Sequence, residues 1–566
     1  MQNKRKPLVV FIMAVFVLAT VLSGCSGKKG EGGNNTSSPP PTSTNTATPG
    51  NTDQNKEDEP WVFGSEMLEF SAYAHYGWLD FPLEMDEVPF WKYLKANKNV
   101  NIKTIQAQGN HAQLMTTMMG SNTLPDLIYM DRYHPDFDRM YNAGKLVAFD
   151  DYLDKYPNLK KWMNAQDMEL LRSPDGKLYK FPNWYSTKPT GNAGYVVNKK
   201  IYEELGSPKL ETTDDLYNYL VKVKEKYGSE VVPFEPDRTQ DAQGIGVLYT
   251  AFGEDLMYKS LSADVLGVVD GDKLTSLFTS EPFRESQKFV SKLYREKLIS
   301  QEMFTQDRGM VLEKLLTGRV AVYAGSSPTA YASQAHYELL KDDPNSGYFM
   351  IWPIRKDGLD KNKIHPGGYD TLGWNVSVIT TSAKDPEKIF AFLDYCTSPE
   401  GMTVQFFGEE GKYWNGFDEN GYPNFTDAYD IADVADIQAK NDVVTIAGNV
   451  DYIDPAKMKF ENSQPVEKQN WQARYQNEIT WPSANDITVF NNRMNPEADS
   501  TLGDIRQSML DLFMQVLADS STAKSDEEVD KILDKAEADA KKLGYDDLLE
   551  WRTQIMNENK KILGVR

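Results

Sequence analysis

The chain has 566 residues, 40% of them hydrophobic and 12% aromatic, which is more than a single hydrophobic core normally holds. Its formal net charge is −22 at pH 7. A surface this acidic repels phosphate backbones and anionic lipid headgroups, which argues against a nucleic-acid partner and against a peripheral membrane-binding face.

The N-terminus has the three parts of an export signal. Residues 4–6 are basic, and residues 8–22 form an apolar run that is shorter than the roughly 20 residues of a membrane span. The closing Leu-Ser-Gly-Cys, residues 22–25, resembles a bacterial lipobox. This resemblance implies a lipoprotein signal peptide over residues 1–24 and a lipid (palmitate) on Cys25, anchoring the protein to the extracellular face of the cell membrane. An ordinary signal peptide followed by a chance cysteine is the alternative.

Residues 25–60 are rich in Gly, Ser, Thr, Asn and Pro and almost free of apolar side chains. Such a segment cannot bury a core, so we expect a disordered linker that holds the folded body off the membrane. The second cysteine, Cys396, shares a helical face with Ile389 and Leu393. This spacing predicts a buried packing residue and not a nucleophile or a metal ligand.

From about Trp61 onward, short apolar runs alternate with helical patterns, which predicts an α/β fold with largely parallel sheets. Strand character is read in residues 67–74 and 124–131, at the end of 88–107 and of 175–184, at the start of 145–162, and within 315–328, 348–358 and 367–382. Residues 194–206 start what looks like a new unit. Residues 240–318 look rich in helix, and the last 65 residues look wholly helical.

Several helix boundaries carry their own signals. Thr212 followed by Asp215 forms a capping-box-like start of a helix that ends before Gly228, and Ser525 caps toward Glu528. Residues 417–425, FDENGYPNF, predict a turn or hairpin. They lack the full alternating ligand series of a calcium loop, so we predict no metal site there and no cofactor.

The segments that carry a family resemblance are LPDLIYMD, GKLVAFDDYLDKYPN, DGKLYKFP, GYVVNKKIYEELG, LLTGRVAVYAG and DPEKIFAFLDYCTSPEGMTVQFFGEEGKYW. In this order they resemble the extracellular solute-binding proteins of sugar ABC importers, the group that contains maltose-binding proteins. The closest likeness is to the Gram-positive lipoprotein branch that handles oligosaccharides. Residues 415–480 match the distant maltose-binding members poorly.

The resemblance implies a two-lobe periplasmic-binding-protein-like fold of type II, with hinge crossovers and a helical C-terminus. It places the N-terminal lobe at 61–186 plus 370–450 and the C-terminal lobe at 187–369 plus 451–566. It further implies a monomer that captures an oligosaccharide or other small solute between the lobes, passes it to the permease subunits and has no catalytic activity.

A sugar site needs aromatic plates for the apolar sugar faces and fixed polar groups for the hydroxyls. In α/β folds ligands lie beyond the carboxyl ends of strands, so we looked in the loops that follow the predicted strands. The candidates there are His75, Tyr76, Trp78, Met130, Asp131, Arg132, Trp184, Tyr185, Ser326, Ser327, Tyr369, Trp374, Trp414 and Trp481.

Each candidate also has an ordinary structural interpretation. A tryptophan in so aromatic a chain can be core, Asp131 and Arg132 can be a surface pair, and His75 can be a structural histidine. Two other functions stay open, namely a glycoside hydrolase using two carboxylates and a surface sugar receptor without a role in transport.

Overall fold

Strands and helices are interspersed along the chain from Leu68 to Asp486, and three α-helices follow at its C-terminal end. The computed structural model describes residues 60–237, 243–442, 444–497 and 499–565, and all structural statements refer to these. The predicted signal peptide, the lipidation at Cys25 and the linker up to residue 59 lie outside them.

Strands are named β1 to β15 in chain order. They are β1 (Leu68–Ala74), β2 (Val100–Ile105), β3 (Leu127–Asp131), β4 (Phe181–Asn183), β5 (Gly194–Asn198), β6 (Val232–Pro236), β7 (Val268–Asp270), β8 (Lys273–Thr275), β9 (Val320–Gly325), β10 (Tyr348–Ile351), β11 (Gly368–Tyr369), β12 (Asn375–Ile379), β13 (Trp414–Phe417), β14 (Pro423–Phe425) and β15 (Asn485–Asp486).

Helices are named α1 to α19 in the same way. They are α1 (Pro89–Asn97), α2 (His111–Ser121), α3 (Pro135–Asn142), α4 (Asn158–Trp162), α5 (Ala165–Leu171), α6 (Lys199–Glu204), α7 (Thr213–Tyr227), α8 (Gln243–Tyr249), α9 (Glu281–Arg295), α10 (Arg308–Leu316), α11 (Pro328–Asp342), α12 (Pro386–Cys396), α13 (Pro399–Phe407), α14 (Ile431–Asp442), α15 (Val450–Glu461), α16 (Trp471–Tyr475), α17 (Thr501–Ser521), α18 (Asp526–Leu543) and α19 (Tyr545–Leu563).

The first large sheet has the strand order β2-β1-β3-β12-β4. Strands β2, β1 and β3 run parallel, whereas β12 is antiparallel to both β3 and β4. Helices cover this sheet on both faces, which is why β3 and β12 are apolar or small along almost their whole length. The resulting first core includes Leu68, Phe181, Ile379, Phe390 and Ile453.

The second sheet has the order β10-β5-β9-β6, with one parallel pair, β6 and β9. Its second core includes Tyr195, Phe234 and Val322, together with the inner faces of α7, α9 and the C-terminal helices. Residues Glu59–Arg566 form one compact unit that contains both cores.

The chain passes between the two sheets three times. The first crossover, residues 184–193, joins β4 to β5, and the second, residues 352–374, joins β10 to β12. The third, residues 462–486, leads from the first core to the C-terminal helices. The second and third crossovers pair as the parallel strands β11 and β15. This is the hinge-crossover arrangement of the predicted two-lobe fold.

The predicted helix caps, the hairpin and the burial of Cys396 are confirmed. Thr212 and Asp215 make both bonds of the capping box, and the Ser525 hydroxyl accepts the Glu528 N–H. The predicted hairpin is β13–β14, where Asp418 pairs with Lys459 and accepts N–H groups of its own turn. Cys396 is buried at 2% exposure.

Two predictions about strands were wrong. Residues 145–149, the start of the predicted segment 145–162, form only an isolated bridge, from Leu146 to Thr380, because their hydrogen bonds to the sheet reach only the end of β12, beyond the stretch that pairs with β4. The sheets are mixed and not largely parallel, because β12 and β5 enter from the other lobe and run against their neighbours. In the described part of the chain, no helix is long and apolar enough to cross a membrane.

Candidate ligand-binding site

Several of the candidate residues meet at one edge of the first sheet, which we call the crossover edge. Strands β1, β3 and β4 end there and β12 begins there, as the pairings of Asn375 with Asp131 and with Asn183 show. The first crossover leaves from this edge and the second returns to it. Loops at the edge therefore lie next to the hinge.

Three aromatic rings form a platform at the crossover edge. The Trp78 and Trp374 rings are stacked, with centroids 6.5 Å apart and an interplanar angle of 27°. The Tyr76 ring contacts both, at 5.2 Å and 5.9 Å. Tyr76 is 8% exposed, whereas Trp78 and Trp374 are 62% and 45% exposed. Water thus reaches two large indoles anchored by a buried tyrosine, an arrangement suited to flat apolar ligand faces.

Arg132, in the loop after β3, links this loop to the second crossover and to the segment that follows β15. Its guanidinium donates to the Asp370 carboxylate, the Gly373 carbonyl and the Tyr133 hydroxyl, and to the Asn491 carbonyl at 3.2 Å. Arg132 is 1% exposed. Burial alone would lower its pKa, but the neighbouring Asp370 carboxylate outweighs burial and raises it, so the guanidinium stays charged.

Asp131 lies beside this pair at the end of β3. Its Oδ1 accepts the Tyr133 N–H at 2.9 Å. Burial raises the pKa of Asp131, although the Tyr133 N–H and the Arg132 charge oppose the shift. The half-buried carboxyl group is thus a candidate partner for a ligand hydroxyl.

Trp184 starts the first crossover in a left-handed conformation, with φ at 60°. This conformation is costly for a bulky residue and is found mainly at functional sites. Two glycines make it possible: a Cβ on Gly373 would lie 1.8 Å from the Asn183 carbonyl oxygen, and one on Gly448 would lie 3.0 Å from the Trp184 ring. The Trp184 N–H donates to the Gly448 carbonyl at 2.8 Å.

The crossovers are bonded to one another and to neighbouring elements. The Ser186 N–H donates to the Thr371 carbonyl at 3.2 Å, and Gln476 Nε2 donates to Asn192 Oδ1 at 2.8 Å. The Asp451 carboxylate accepts from the Ser186 hydroxyl and from the N–H and hydroxyl of Thr187. The Thr371 hydroxyl donates to Asp167 at 2.8 Å, and its N–H donates to the Thr488 hydroxyl at 3.0 Å. Movement of one crossover is therefore coupled to movement of the others.

Several buried polar atoms near the crossovers lack a partner. Trp481 Nε1, Asn485 Oδ1 and Asn491 Oδ1 make no hydrogen bond to any residue that the structure describes. Since buried polar groups are nearly always hydrogen-bonded, such atoms are candidate contacts for ligand hydroxyls or water.

The remaining candidates lie at the second sheet and on the crossovers. Ser326 and Ser327 follow β9 and are half-buried and exposed, respectively. Tyr369 is half-buried on β11, whose partner β15 includes Asp486. They do not touch the platform through any ring contact of the described residues, so their role depends on how the two lobes close.

The prediction of ligand contact is wrong for three candidates, because their side chains are buried in the core. Met130 is 0% exposed among the apolar side chains of the first sheet. Tyr185 is 1% exposed and bonds the Thr397 hydroxyl at 2.6 Å. Trp414 is 2% exposed and donates to the Gly408 carbonyl at 2.9 Å. His75 is also buried, with Nε2 lying 2.9 Å from the Asp136 carboxylate.

Sequence reasoning missed the polar residues that shape the site. Asp370, the partner of Arg132, stands between the candidates Tyr369 and Trp374, and that position was a usable signal. Asn183 donates to the Tyr129 hydroxyl, to Asn375 and to the Thr445 carbonyl, which fixes β4 against β12. No pattern in the sequence marks this buried amide, since its partners are up to 262 residues away.

Comparison with known proteins agrees with this architecture. Residues 84–403 match the family described as bacterial extracellular solute-binding protein, which is more than half of the chain. The chain therefore belongs to the bacterial extracellular solute-binding protein family.

Individual relatives are distant. The chain is similar to Lipoprotein LipO of Bacillus subtilis (22% identical over 337 residues, 58% of this chain and 64% of LipO). It is also similar to the melibiose/raffinose/stachyose-binding protein MelE of the same organism (23% over 323 residues, 55% of this chain and 68% of MelE). Matches to these two relatives thus span about two thirds of their lengths.

Among solved structures, the chain resembles the ABC-transporter substrate-binding protein FusA of S. pneumoniae in complex with kestose. The TM-score is 0.62 at 18% identity, over 87% of this chain and 100% of that one. At this identity the likeness shows the fold, which is that of a two-lobe solute-binding protein.

Proposed function

We propose that this solute-binding protein captures an extracellular carbohydrate, an oligosaccharide of several units, and delivers it to the permease of an ABC importer. The observation that carries the proposal is the pair of stacked, solvent-exposed indoles of Trp78 and Trp374 at the crossover edge. A monomer has little reason to expose two neighbouring tryptophans unless a ligand covers them.

The polar surroundings fit the same ligand class. Asp131 and the unpartnered atoms of Trp481, Asn485 and Asn491 offer acceptors and a donor without a fixed charge pair. Neutral hydroxyl groups would satisfy them. The names of two relatives support the inference, since MelE is named for three oligosaccharides and FusA was solved with kestose.

Transport requires that ligand binding change the shape of the protein. Only a ligand that binds the closed state more tightly can close the lobes. Because the crossovers are bonded to each other through the Ser186–Thr371 and Asn192–Gln476 hydrogen bonds, we infer that they bend as one hinge. A single closed shape is what a permease could recognise.

We also propose lobe boundaries and an anchor. Our proposed first lobe is residues 61–186 plus 370–456. Packing of Tyr452, Ile453 and Ala456 in the first core supports an end beyond the predicted boundary at 450. The anchor would be a lipid on Cys25, consistent with the name of the relative LipO. We propose a monomer.

The test is a thermal-shift screen of the purified protein against plant and microbial oligosaccharides, followed by calorimetric titration of each hit. A ligand of the folded state at 100 times its dissociation constant adds about 2.7 kcal/mol to the free energy of unfolding. A panel that shifts nothing, while peptides or other small solutes do, would reject the carbohydrate proposal.

Two further measurements address the other functions. New reducing ends after incubation with a bound oligosaccharide would indicate a glycoside hydrolase. Uptake of that sugar should fall on deletion of either this protein or its permease, whereas a receptor without a role in transport would leave uptake unchanged.

A further inference from the structure

The chain contains only five histidines, and three of them are clustered. The His75 ring lies 4.3 Å from the His134 ring and 5.3 Å from the His111 ring, measured between centroids. Asp136 completes the cluster. These residues come from the loops after β1 and β3 and from the start of α2, behind the loop that carries Tyr76 and Trp78.

We propose that His75, His134 and Asp136 bind a divalent first-row transition-metal ion of the zinc class, with His111, whose ring centroid lies 5.3 Å from that of His75, as a candidate fourth ligand. Two imidazoles and one carboxylate are a donor set that zinc accepts in proteins. Among the described residues, these three form the one group of side chains whose ligand atoms converge in this way.

The distances suit a small ion. The Asp136 Oδ2 atom lies 2.9 Å from His75 Nε2 and 3.6 Å from His134 Nδ1. A tetrahedral zinc with ligand bonds of about 2.0–2.1 Å holds its ligand atoms roughly 3.3 Å apart. The ligand atoms of all three residues lie within 4.8 Å of one another, so approaches of at most about 1.5 Å would convert the cluster into a coordination shell.

Burial favours metal binding. His75 and Asp136 are 1% and 6% exposed, so little water competes with these side chains for an ion. Restricted solvent access is a common property of protein metal sites.

Outer hydrogen bonds already orient the ligands. His75 Nδ1 lies 3.3 Å from the Tyr73 hydroxyl, which donates to the His111 carbonyl at 3.1 Å. With the proton on Nδ1, His75 Nε2 is free to bind metal. Arg139 holds Oδ1 of Asp136 at 2.5 Å and leaves Oδ2 for the ion. Metal-binding histidines and carboxylates usually have such partners.

The fourth position has a candidate too. His111 Nδ1 is buried and makes no hydrogen bond to any residue described by the structure. Binding has one local cost, because His134 Nδ1 currently accepts the Asp136 N–H at 3.2 Å as the N-cap of α3. A metal ion at Nδ1 would replace that bond. It would also link the loop after β1, which carries Tyr76 and Trp78, to the loop after β3, which carries Arg132.

The experiment uses tag-free protein freed of metal with a chelator. Zinc is titrated against a chromogenic chelator, and cobalt(II) is added separately to record the intense visible absorption of a tetrahedral nitrogen–oxygen site. We expect one equivalent of tight zinc binding and a tetrahedral cobalt spectrum. Absence of both, or a purely octahedral cobalt spectrum with weak zinc binding, would overturn the proposal.

Variants locate the site. His134→Ala is preferred to a change at His75, because the His134 side chain is 29% exposed and its loss is better tolerated. We expect at least about a tenfold loss of zinc affinity in His134→Ala and in Asp136→Asn. The control is His365→Gln, on the second crossover, which should bind like the wild type. Equal zinc binding by wild type and His134→Ala, both folded by circular dichroism, would also overturn it.

Discussion

Trp374 exposes 45% of its surface, so its ring contributes little to the core. We predict that Trp374→Ala lowers the affinity for the oligosaccharide identified in the screen at least tenfold, about 1.4 kcal/mol. The free energy of unfolding should change by less than about 1 kcal/mol, since an exposed side chain is removed. Calorimetric titration and urea denaturation measure the two quantities.

The matched control for Trp374 is Trp352→Ala, a half-buried indole whose Nε1 donates to the Lys361 carbonyl away from the platform. Trp352→Ala should bind the sugar normally. If instead Trp374→Ala unfolds the protein or binds normally, the ring is a packing residue and the platform has been assigned wrongly.

Arg132 and Asp370 form a buried pair, with side chains 1% and 11% exposed. Arg132→Met should reduce the free energy of unfolding by about 3–5 kcal/mol, because Asp370 would be left buried without its partner. In the double variant Arg132→Met/Asp370→Leu much of this loss should be recovered. Urea denaturation gives the four values of the cycle, and a double variant less stable than Arg132→Met would contradict the pairing.

At the scale of elements, helix α5 is tied to the second crossover through Asp167. Burial raises the pKa of Asp167 to about 6, although hydrogen bonds from Thr371 and Asn164 oppose the shift. The folded protein thus binds this proton more tightly than the unfolded chain, whose aspartate has a pKa of about 3.9. Stability from the protonated form is present below about pH 4 and is lost as the pH rises to about 6.

The prediction is a pH dependence of stability with a defined sign. The free energy of unfolding should fall by about 2 kcal/mol through this group between pH 4 and pH 6. Asp167→Asn cannot ionise, so its stability curve should be flatter over that window. Asp214→Asn, an exposed change on α7, is the control and should keep the slope of the wild type. Identical slopes for all three proteins would refute the assignment.

At the scale of the whole molecule, α19 connects the two cores. Its residues Tyr545, Leu548 and Met556 pack in the second core, whereas Ile562 and Leu563 pack against the first. The lobes are therefore joined by this helix as well as by three crossovers.

We predict that Ile562→Ala/Leu563→Ala costs about 2 kcal/mol of stability, since two half-buried aliphatic side chains are shortened. Urea denaturation is the measurement. Lys561→Ala, exposed on the same turn, should change the midpoint little. A double variant as stable as wild type would show that the end of α19 does not hold the first core.

Local interactions explain what the sequence predicted well. The capping box at Thr212, the cap at Ser525, the hairpin over 417–425 and the buried face of Cys396 each depend on residues within a few positions of each other. Their energies are set by backbone geometry and side-chain chemistry that a short window already contains.

Long-range packing explains the features that the sequence predicted poorly. Residues 145–149 have strand character but bond the sheet only at the end of β12, and Met130, Tyr185 and Trp414 are predicted to contact a ligand although neighbouring elements bury them. The left-handed Trp184 depends on Gly373 and Gly448, both more than 180 residues away in sequence. No local pattern reports such contacts.

The sequence by itself determined the positions of most helices and strands, because hydrophobic periodicity and turn chemistry are local properties. Its family resemblance implied the two-lobe fold, and the loops that would hold a ligand stay a prediction. Only the tertiary structure decided which of those loops share an edge, which aromatic rings stay exposed, and that Asp370 neutralises Arg132. These depend on three passages of the chain between two sheets, and the burial that selects among side chains arises only when distant segments meet.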